Sequence, residues 1–512
     1  MTSVGVVKFR AAESCFVYDA MTNAVVELPE SAYHLIDTYL ENGTLRPTAE
    51  GASPRDGDAH SESWDFLDEC RDAGLFQPLG NTPFGRPTRA EIEEALSSQL
   101  ERLTLGATEQ CNMRCTYCVF SGRFSSERSH SGAYMPWDVA KKSIDWYLAR
   151  AREAPDEPPP SINFYGGEPV LRWDTVVRAV HYVEEHWALA KSRGVRFTLT
   201  TNGTLLSDEK LDFLLEHGVF IYLSLDGPAS IHDAGRRMPN DAPTHATVLD
   251  VVRRIAARRP GHVKRHVAIN CTVDPRNNIL DVARFFAEHG MADLLVMSNR
   301  LNPHGSHDFH LSEAERQWHL HNVELLTDDF FAALKNHDAA FCFAFFKSTF
   351  RNVFFQLPDR RVGPPPHLMT PAAICIPGCS KLFVDVHGKF NACENFYYGD
   401  YTIGDVEHGF DVDAILRLMD WWVAYAQDHC RACWAFRLCQ LCYFAAIDDR
   451  GHLNEETLAA RCEHHRTTQR DGLARFVTYW QREEAEGVAD HPESLHSTVR
   501  GLRQQSPSTA GA

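Results

Sequence analysis

Cys111-Asn112-Met113-Arg114-Cys115-Thr116-Tyr117-Cys118 is the stretch that leaves this chain least freedom. Three thiols fall in one short run, spaced C-x3-C-x2-C. That spacing lets three thiolates converge on one iron–sulfur cluster, where a complete cluster takes four protein ligands. An iron left with an open position can bind a small molecule and do redox chemistry on it. The alternative is a zinc knuckle or a redox pair, but zinc sites tend to close with a fourth Cys or His nearby.

The remaining cysteines narrow the chemistry further. The chain has 512 residues and 15 cysteines, a length that predicts about three or four domains. Met1 to Arg10 has no apolar signal core, and no apolar run is long enough to span a bilayer. A cytoplasmic location with no membrane association is therefore expected, and there cysteines serve metal or cluster ligation rather than disulfides. Eight of them lie between Cys375 and Cys462. Cys15, Cys70, Cys271 and Cys342 stand apart and read as small core hydrophobes. A net charge of −18 argues against nucleic acid as a partner, since that needs basic faces.

Residues 1–80 read as a small β unit followed by helices. Val6 to Leu28 alternates, with Asp19 to Asn23 as a turn. A helix follows Pro29, with Tyr33, Leu35, Ile36, Tyr39 and Leu40 on its apolar face. Residues 41–62 are rich in Gly, Ser, Asp and Glu and read as a loop. Trp64, Phe66 and Leu67 begin a second helix. Residues 81–102 are a linker and an amphipathic helix.

Between 103 and 300 short apolar strands alternate with helical patterns. The strands are expected at Leu103–Thr108, Ser161–Tyr165, Arg196–Thr201, Val219–Leu225, Arg265–Val273 and Asp293–Ser298. Crossover helices between them imply a parallel sheet. The motifs fall at the strand ends. Cys111, Cys115 and Cys118 follow the first strand. Gly166-Gly167-Glu168-Pro169 follows the second, Thr201-Asn202-Gly203 ends the third, and Ser224-Leu225-Asp226-Gly227 ends the fourth. Glycines let a backbone approach closely, and a carboxylate accepts from an ammonium.

Together these motifs resemble the radical S-adenosylmethionine (SAM) enzymes. The resemblance implies an α/β fold, a partial (β/α)6 barrel with ligands at the C-terminal strand ends. It implies that SAM chelates the open iron of a [4Fe-4S] cluster held by Cys111, Cys115 and Cys118. Gly166, Gly167, Glu168 and Pro169 would hold the SAM amino group. Asn202, Ser224 and Asp226 would lie near its ribose and carboxylate, with Arg236 pairing with that carboxylate and Tyr117 near the adenine. His232 reads as structural. Residues 1–80 resemble the winged-helix-like unit that captures leader peptides in maturases of ribosomally made peptides. There a peptide adds as a strand on a sheet edge. The alternative is a packing domain without a ligand.

Residues 301–370 form a bridging helical region with scattered His304, His307, His310, His319, His321 and His337, and a Phe cluster from Phe341 to Phe355. Scattered histidines without ligand spacing read as solvent-facing. The second cysteine group fills 371–465: Cys375, Cys379, then Gly388-x4-Cys393, then Cys430-x2-Cys433-x5-Cys439-x2-Cys442, and Cys462. This resembles the SPASM domain, which implies two auxiliary [4Fe-4S] clusters, three clusters in all. By that pattern Cys375, Cys379, Cys393 and Cys442 would hold one, and Cys430, Cys433, Cys439 and Cys462 the other. The last gap departs from the pattern, with Gln440 and Leu441 where three residues are usual. Leu382 to Phe390 reads as a hairpin turning at His387-Gly388. Glu394, directly after Cys393, matches a carboxylate proposed as the base in sulfatase-maturing relatives. Residues 466–512 read as a helix followed by a disordered tail.

The expected activity is generation of a 5′-deoxyadenosyl radical and modification of a precursor peptide bound through its leader, closing a thioether or carbon–carbon crosslink. A flavodoxin or ferredoxin would supply the electron. One rival is a sulfatase-type maturase oxidising Ser or Cys to formylglycine. Another is a non-catalytic leader-binding or electron-carrier protein, against which the intact cysteine triad argues. Cys115→Ala is expected to abolish release of 5′-deoxyadenosine in anaerobic incubations with SAM and dithionite. Continued release from that variant would remove the cluster assignment.

Overall fold

The computed structural model describes residues 5–42, 54–78, 83–118, 120, 129–151, 159–187, 194–261, 263–300, 311–366, 368–370, 375–397 and 399–505. The alternating N-terminal segment folds back on itself as β1 (Val6–Ala11), β2 (Ser14–Asp19) and β3 (Ala24–Leu28), an antiparallel sheet in that order. Asp19 Oδ2 closes the second turn, accepting from Thr22 N at 2.8 Å and Thr22 Oγ1 at 2.6 Å. One sheet face buries Val17 and Leu28 against two helices, Glu30–Asn42 and Pro54–Asp72. The other buries Phe9, Phe16 and Tyr18 against Phe436, Leu438 and Val477, far along the chain. The second helix starts at Pro54, inside the stretch that composition reads as a loop. Trp64, Leu67 and Cys70 are buried on it, so tertiary packing outweighs a polar, low-propensity start.

Six strands then pair in parallel and in sequence order: β4 (Arg102–Thr108), β5 (Ser161–Gly166), β6 (Arg196–Thr201), β7 (Phe220–Ser224), β8 (Val267–Val273) and β9 (Val296–Arg300). Helices Trp137–Ala151, Trp173–His186, Asp208–Glu216, His245–Arg258 and Ile279–Glu288 make the crossovers. Ile162, Phe164, Leu199, Ile221, Leu223 and Ile269 are fully buried, as strands covered on both faces require.

The cysteine-rich region extends this sheet. β10 (Lys381–Val384) pairs parallel with β4, and β11 (Phe390–Asn391) pairs antiparallel with β10, giving eight strands. Their turn is held by Asp385 Oδ1, which accepts from His387 N at 2.8 Å and Lys389 N at 2.9 Å. A short ribbon, β12 (Gly404–Asp405) and β13 (Gly409–Phe410), follows.

The Phe cluster packs helices Glu313–Asn336, Phe343–Thr349 and Glu455–Ala485 together. Phe330 stacks on Phe346 at 4.0 Å, and Phe345, Phe354 and Tyr479 are buried around them. A final helix, Leu495–Gln505, occupies part of the tail expected to be disordered. Its first turn is capped by the buried Glu483 carboxylate, which accepts from Leu495 N at 2.6 Å and His496 N at 3.1 Å. That cap comes from another helix, so no local pattern announces it. His304, His307 and His310 lie outside the described residues. Among the described residues no helix is long and apolar enough to cross a membrane. Phe330→Ala is expected to cost about 3–5 kcal/mol, because the stacked ring leaves a cavity; a thermal melt indistinguishable from wild type would contradict this packing.

Candidate active site

The parallel register brings the ends of β4 to β8 together, and the loops after them touch. Gly167 N donates to Thr108 O at 2.8 Å, and Glu168 N donates to Gln110 O at 2.9 Å. Gly166 has φ +131°, and a Cβ there would sit 2.2 Å from Thr108 O. A Cβ on Gly167 would sit 2.2 Å from Gln110 O. Both contacts are with backbone, which cannot yield, so both positions need glycine. On its other side the cysteine loop is held by Arg114 N to Arg237 O at 2.7 Å and Thr116 N to Gly235 O at 2.8 Å.

Cys111, Cys115 and Cys118 are brought close enough that each opposes ionisation of its neighbours. Burial pushes the Cys111 thiol up to about 12, and Glu168, Cys115 and Cys118 add to the rise. Burial pushes Cys115 up to about 11, with Arg236 acting in the opposite direction. Three part-buried thiols on one loop, within electrostatic reach of one another, form a donor set that would bind as thiolates once a cationic centre replaces their protons. The residues present therefore fit an iron–sulfur cluster.

Glu168 is 1% exposed, and burial raises its pKa. Oε1 accepts from Val170 N at 3.1 Å and Thr201 Oγ1 at 2.7 Å, and Oε2 accepts from Asn202 N at 2.8 Å. These bonds tie the loop after β5 to the end of β6. They leave the carboxylate one lone-pair direction for the ammonium expected of SAM. Pro169 opens the short turn Pro169–Arg172. Asn202 Nδ2 donates to Asn112 Oδ1 at 2.9 Å and lies 3.9 Å from Cys111 Sγ.

The residues expected around the rest of SAM are joined to each other. Asp226 Oδ2 accepts from Arg236 Nε at 2.8 Å and from the Tyr117 hydroxyl, and Oδ1 accepts from Thr272 N at 2.8 Å. The Arg236 guanidinium lies 5.4 Å from the Tyr117 ring centre. Ser224 is buried at the end of β7. His232 braces this network. Its Nδ1 accepts from Asp226 N at 3.2 Å, and its Nε2 meets Thr244 Oγ1 at 3.1 Å. Thr244 Oγ1 donates in turn to Arg236 O at 2.9 Å. Burial pushes His232 down to about 4, so the ring stays neutral. Thr244, Thr272 and Gly235 belong to the site through hydrogen bonds and contact, and no motif marks them.

The second cysteine group separates into two sets. Burial pushes Cys375 up to about 12, and Cys393 and Cys442 add to it. Burial likewise pushes Cys439 up to about 12, with Cys462, Cys433 and Cys442 adding. Cys430 is raised by burial and then by Cys433, Cys439 and Cys462. Cys379 is turned elsewhere: its Sγ lies 3.3 Å from Gln99 Oε1 and 3.6 Å from Ala95 O, on the helix Arg89–Ser98. Cys442 acts on both Cys375 and Cys439, so the two sets adjoin, and Cys379 faces Gln99 instead of them. Glu394 Oε1 accepts from Lys381 Nζ at 3.0 Å. Lys381 pairs with Arg102, at the opposite end of β4 from the Cys111 loop. Glu394 Oε2 is buried with no hydrogen-bond partner among the described residues.

Residues 106–288 match the radical SAM superfamily. Over 226 residues the chain is 23% identical to the radical SAM cyclopropyl synthase TigE of Paramaledivibacter caminithermalis, covering 42% of this chain and 44% of that protein. Over 237 residues it is 26% identical to a cysteine-type anaerobic sulfatase-maturating enzyme of Clostridium perfringens, covering 45% of this chain and 61% of that protein. The matches thus span less than two thirds of either relative. The solved structure of histidine-tagged anSMEcpe with bound AdoMet aligns with a TM-score of 0.51 at 18% identity, covering 76% of this chain and 99% of that one. That likeness is one of fold.

His232 folds with its pKa below the ordinary value of about 6.5, so the unfolded chain binds the extra proton first. Its contribution is present above about pH 6.5 and is lost as pH falls from there toward 4. Wild-type melting temperature is expected to drop more steeply over that interval than that of His232→Asn, whose amide can still accept from Asp226 N. Parallel pH curves would remove this role. Asp226→Asn is expected to destabilise by about 3 kcal/mol, because it strips the charge partner from the buried Arg236; unchanged denaturant midpoints would contradict the network.

Proposed function

We propose, on the premise that residues 106–288 are a radical SAM domain, that this chain modifies a ribosomally made precursor peptide and closes an intrapeptide crosslink, thioether or carbon–carbon. The observation that carries the reading is the N-terminal sheet. β3 has no strand partner on its outer edge among the described residues, and the sheet packs against Phe436 and Leu438 inside the second cysteine group. An extended peptide can add to such an edge next to residues that would handle electrons. Similarity to a cyclopropyl synthase supports bond formation as the outcome.

SAM bound to a reduced four-iron cluster supplies a 5′-deoxyadenosyl radical, able to take hydrogen from an unactivated carbon. Cys111, Cys115 and Cys118 are the ligands proposed for that cluster. The two glycines and the Asp226–Arg236 network keep the loop in one shape and exclude water from it. Closing a crosslink removes two hydrogens from the peptide, one as an atom and one as a proton with an electron. Glu394, ion-paired with Lys381 at the end of β4 away from the Cys111 loop, is not placed beside that loop, and the proton goes to solvent. The cysteines of the second group are the ligands proposed for auxiliary clusters that take the electron, and a flavodoxin or ferredoxin is the proposed source of the first one.

Glu394 directly after Cys393 also favours a second reading, oxidation of Ser or Cys to formylglycine. One experiment separates the two. The short peptide encoded beside this gene is co-expressed, or incubated with reconstituted enzyme, SAM and dithionite, and its mass is measured. The expected product is lighter by two hydrogens and gives no adduct with a hydrazide. An aldehyde adduct selects formylglycine. Cleavage of SAM with no peptide altered overturns both.

A further inference from the structure

Three cavities meet end to end along one side of the molecule. The first, about 770 Å³, lies against Phe16, Val25 and Glu27 of β2 and β3. The second, about 480 Å³, shares Asp359, Arg360 and Arg361 with the first. The third, about 400 Å³, shares Gln356, Gln440 and Gln469 with the second and reaches Ser298 in β9. Their shared walls set them side by side as one run of adjoining cavities. It starts beside the unpaired edge of the N-terminal sheet and ends at Ser298, the middle residue of β9.

The charge of this groove is unlike that of the rest of the chain. Net charge is −18, and surface arginines such as Arg86, Arg254 and Arg258 pair with carboxylates. Arg351, Arg361, Arg437 and Arg475 line the second and third cavities. None of these four has a carboxylate within ion-pairing distance among the described residues. Arg437 donates to Met21 O at 2.9 Å, Gly363 O at 2.6 Å and Arg361 O at 3.2 Å. Arg475 donates to the Tyr479 hydroxyl at 3.3 Å. Burial pushes Arg437 below its ordinary value, against a weaker opposing pull from Asp19. Asp359 and Asp471 are the acidic residues in the walls of the second and third cavities, so positive charge prevails there, whereas Glu27 and Glu484 line the first. The third cavity adds a separate observation. Ser298 Oγ and Thr349 Oγ1 are buried there without a hydrogen-bond partner among the described residues, which is costly unless a ligand supplies one.

We propose that this groove takes an extended, acidic segment of the peptide substrate, with Asp or Glu side chains meeting the four arginines and peptide groups meeting Ser298 and Thr349. The inference rests on the peptide reading above and deepens it. Guanidinium pairs with carboxylate in two-point geometry. A long open groove that begins at a strand edge suits a polypeptide better than a free phosphate, which would need one closed cup.

The test uses reconstituted full-length enzyme and fluorescein-labelled oligoglutamate, read by fluorescence anisotropy at low salt. Oligoglutamate is expected to bind, and oligoglutamine and oligolysine are not. Arg351→Glu and Arg361→Glu, both at exposed positions, should each weaken binding about tenfold or more, while Arg361→Lys keeps most of it. Equal binding by charge-reversed variants that melt like wild type overturns the proposal. So does competition by tripolyphosphate or single-stranded DNA as strong as that by unlabelled oligoglutamate. No turnover enters these readouts. A failed groove therefore leaves the peptide chemistry standing, and a failure to find a modified peptide leaves the anisotropy result unchanged.

Discussion

Two stretches of backbone lie in contact at the heart of this site, Thr108–Gln110 against Gly166–Gly167, with no room for a side chain between them. The cysteine loop has no regular structure of its own, so its shape comes from what pins it. The glycine pair pins one side, and the carbonyls of Gly235 and Arg237 pin the other. This works only because β4 and β5 are parallel neighbours, which puts both loops at the same end of the sheet. Parallel pairing in turn needs the crossover helices, and these bury the strands on both faces.

Electrostatics organises the second layer. Asp226 is buried, and its carboxylate collects a guanidinium, a phenol and a backbone N–H from three parts of the chain. A buried ion pair contributes little net stability, since desolvation offsets attraction. Its value here is geometric, because it fixes Tyr117, and therefore the spacing between Cys115 and Cys118, relative to β7 and β8. Neutral His232 sits behind it and holds the Asp226 backbone without adding charge. Glu168 plays the same part between β5 and β6.

The two ends of the chain meet over the second cysteine group. The Tyr18 ring lies edge-on to Trp434 with centres 6.1 Å apart. Arg437, between Cys433 and Cys439, grips the β2–β3 turn through Met21 O and the distant Gly363 through its carbonyl oxygen. The N-terminal sheet and the second cysteine group are thereby one packed body.

Spacing alone made the site's outline legible. The six strands, the crossover helices and the order of the motifs could be read because each depends on residues near in sequence: apolar alternation, a glycine pair, thiols a few residues apart. The start of the helix at Pro54 and the helix Leu495–Gln505 could not, because Trp64 and Glu483 stabilise them through contacts from elsewhere. The same limit applies to polar side chains. Arg236, Asp226 and Tyr117 were expected near one ligand, but that they bind one another, and that Cys379 turns toward Gln99, depends on which groups folding brings within hydrogen-bond reach. Sequence determined which chemistry this chain can hold, because ligand type and spacing are local properties. Tertiary structure decided which of those groups face each other, because buried polar atoms take whatever partner the packed chain offers.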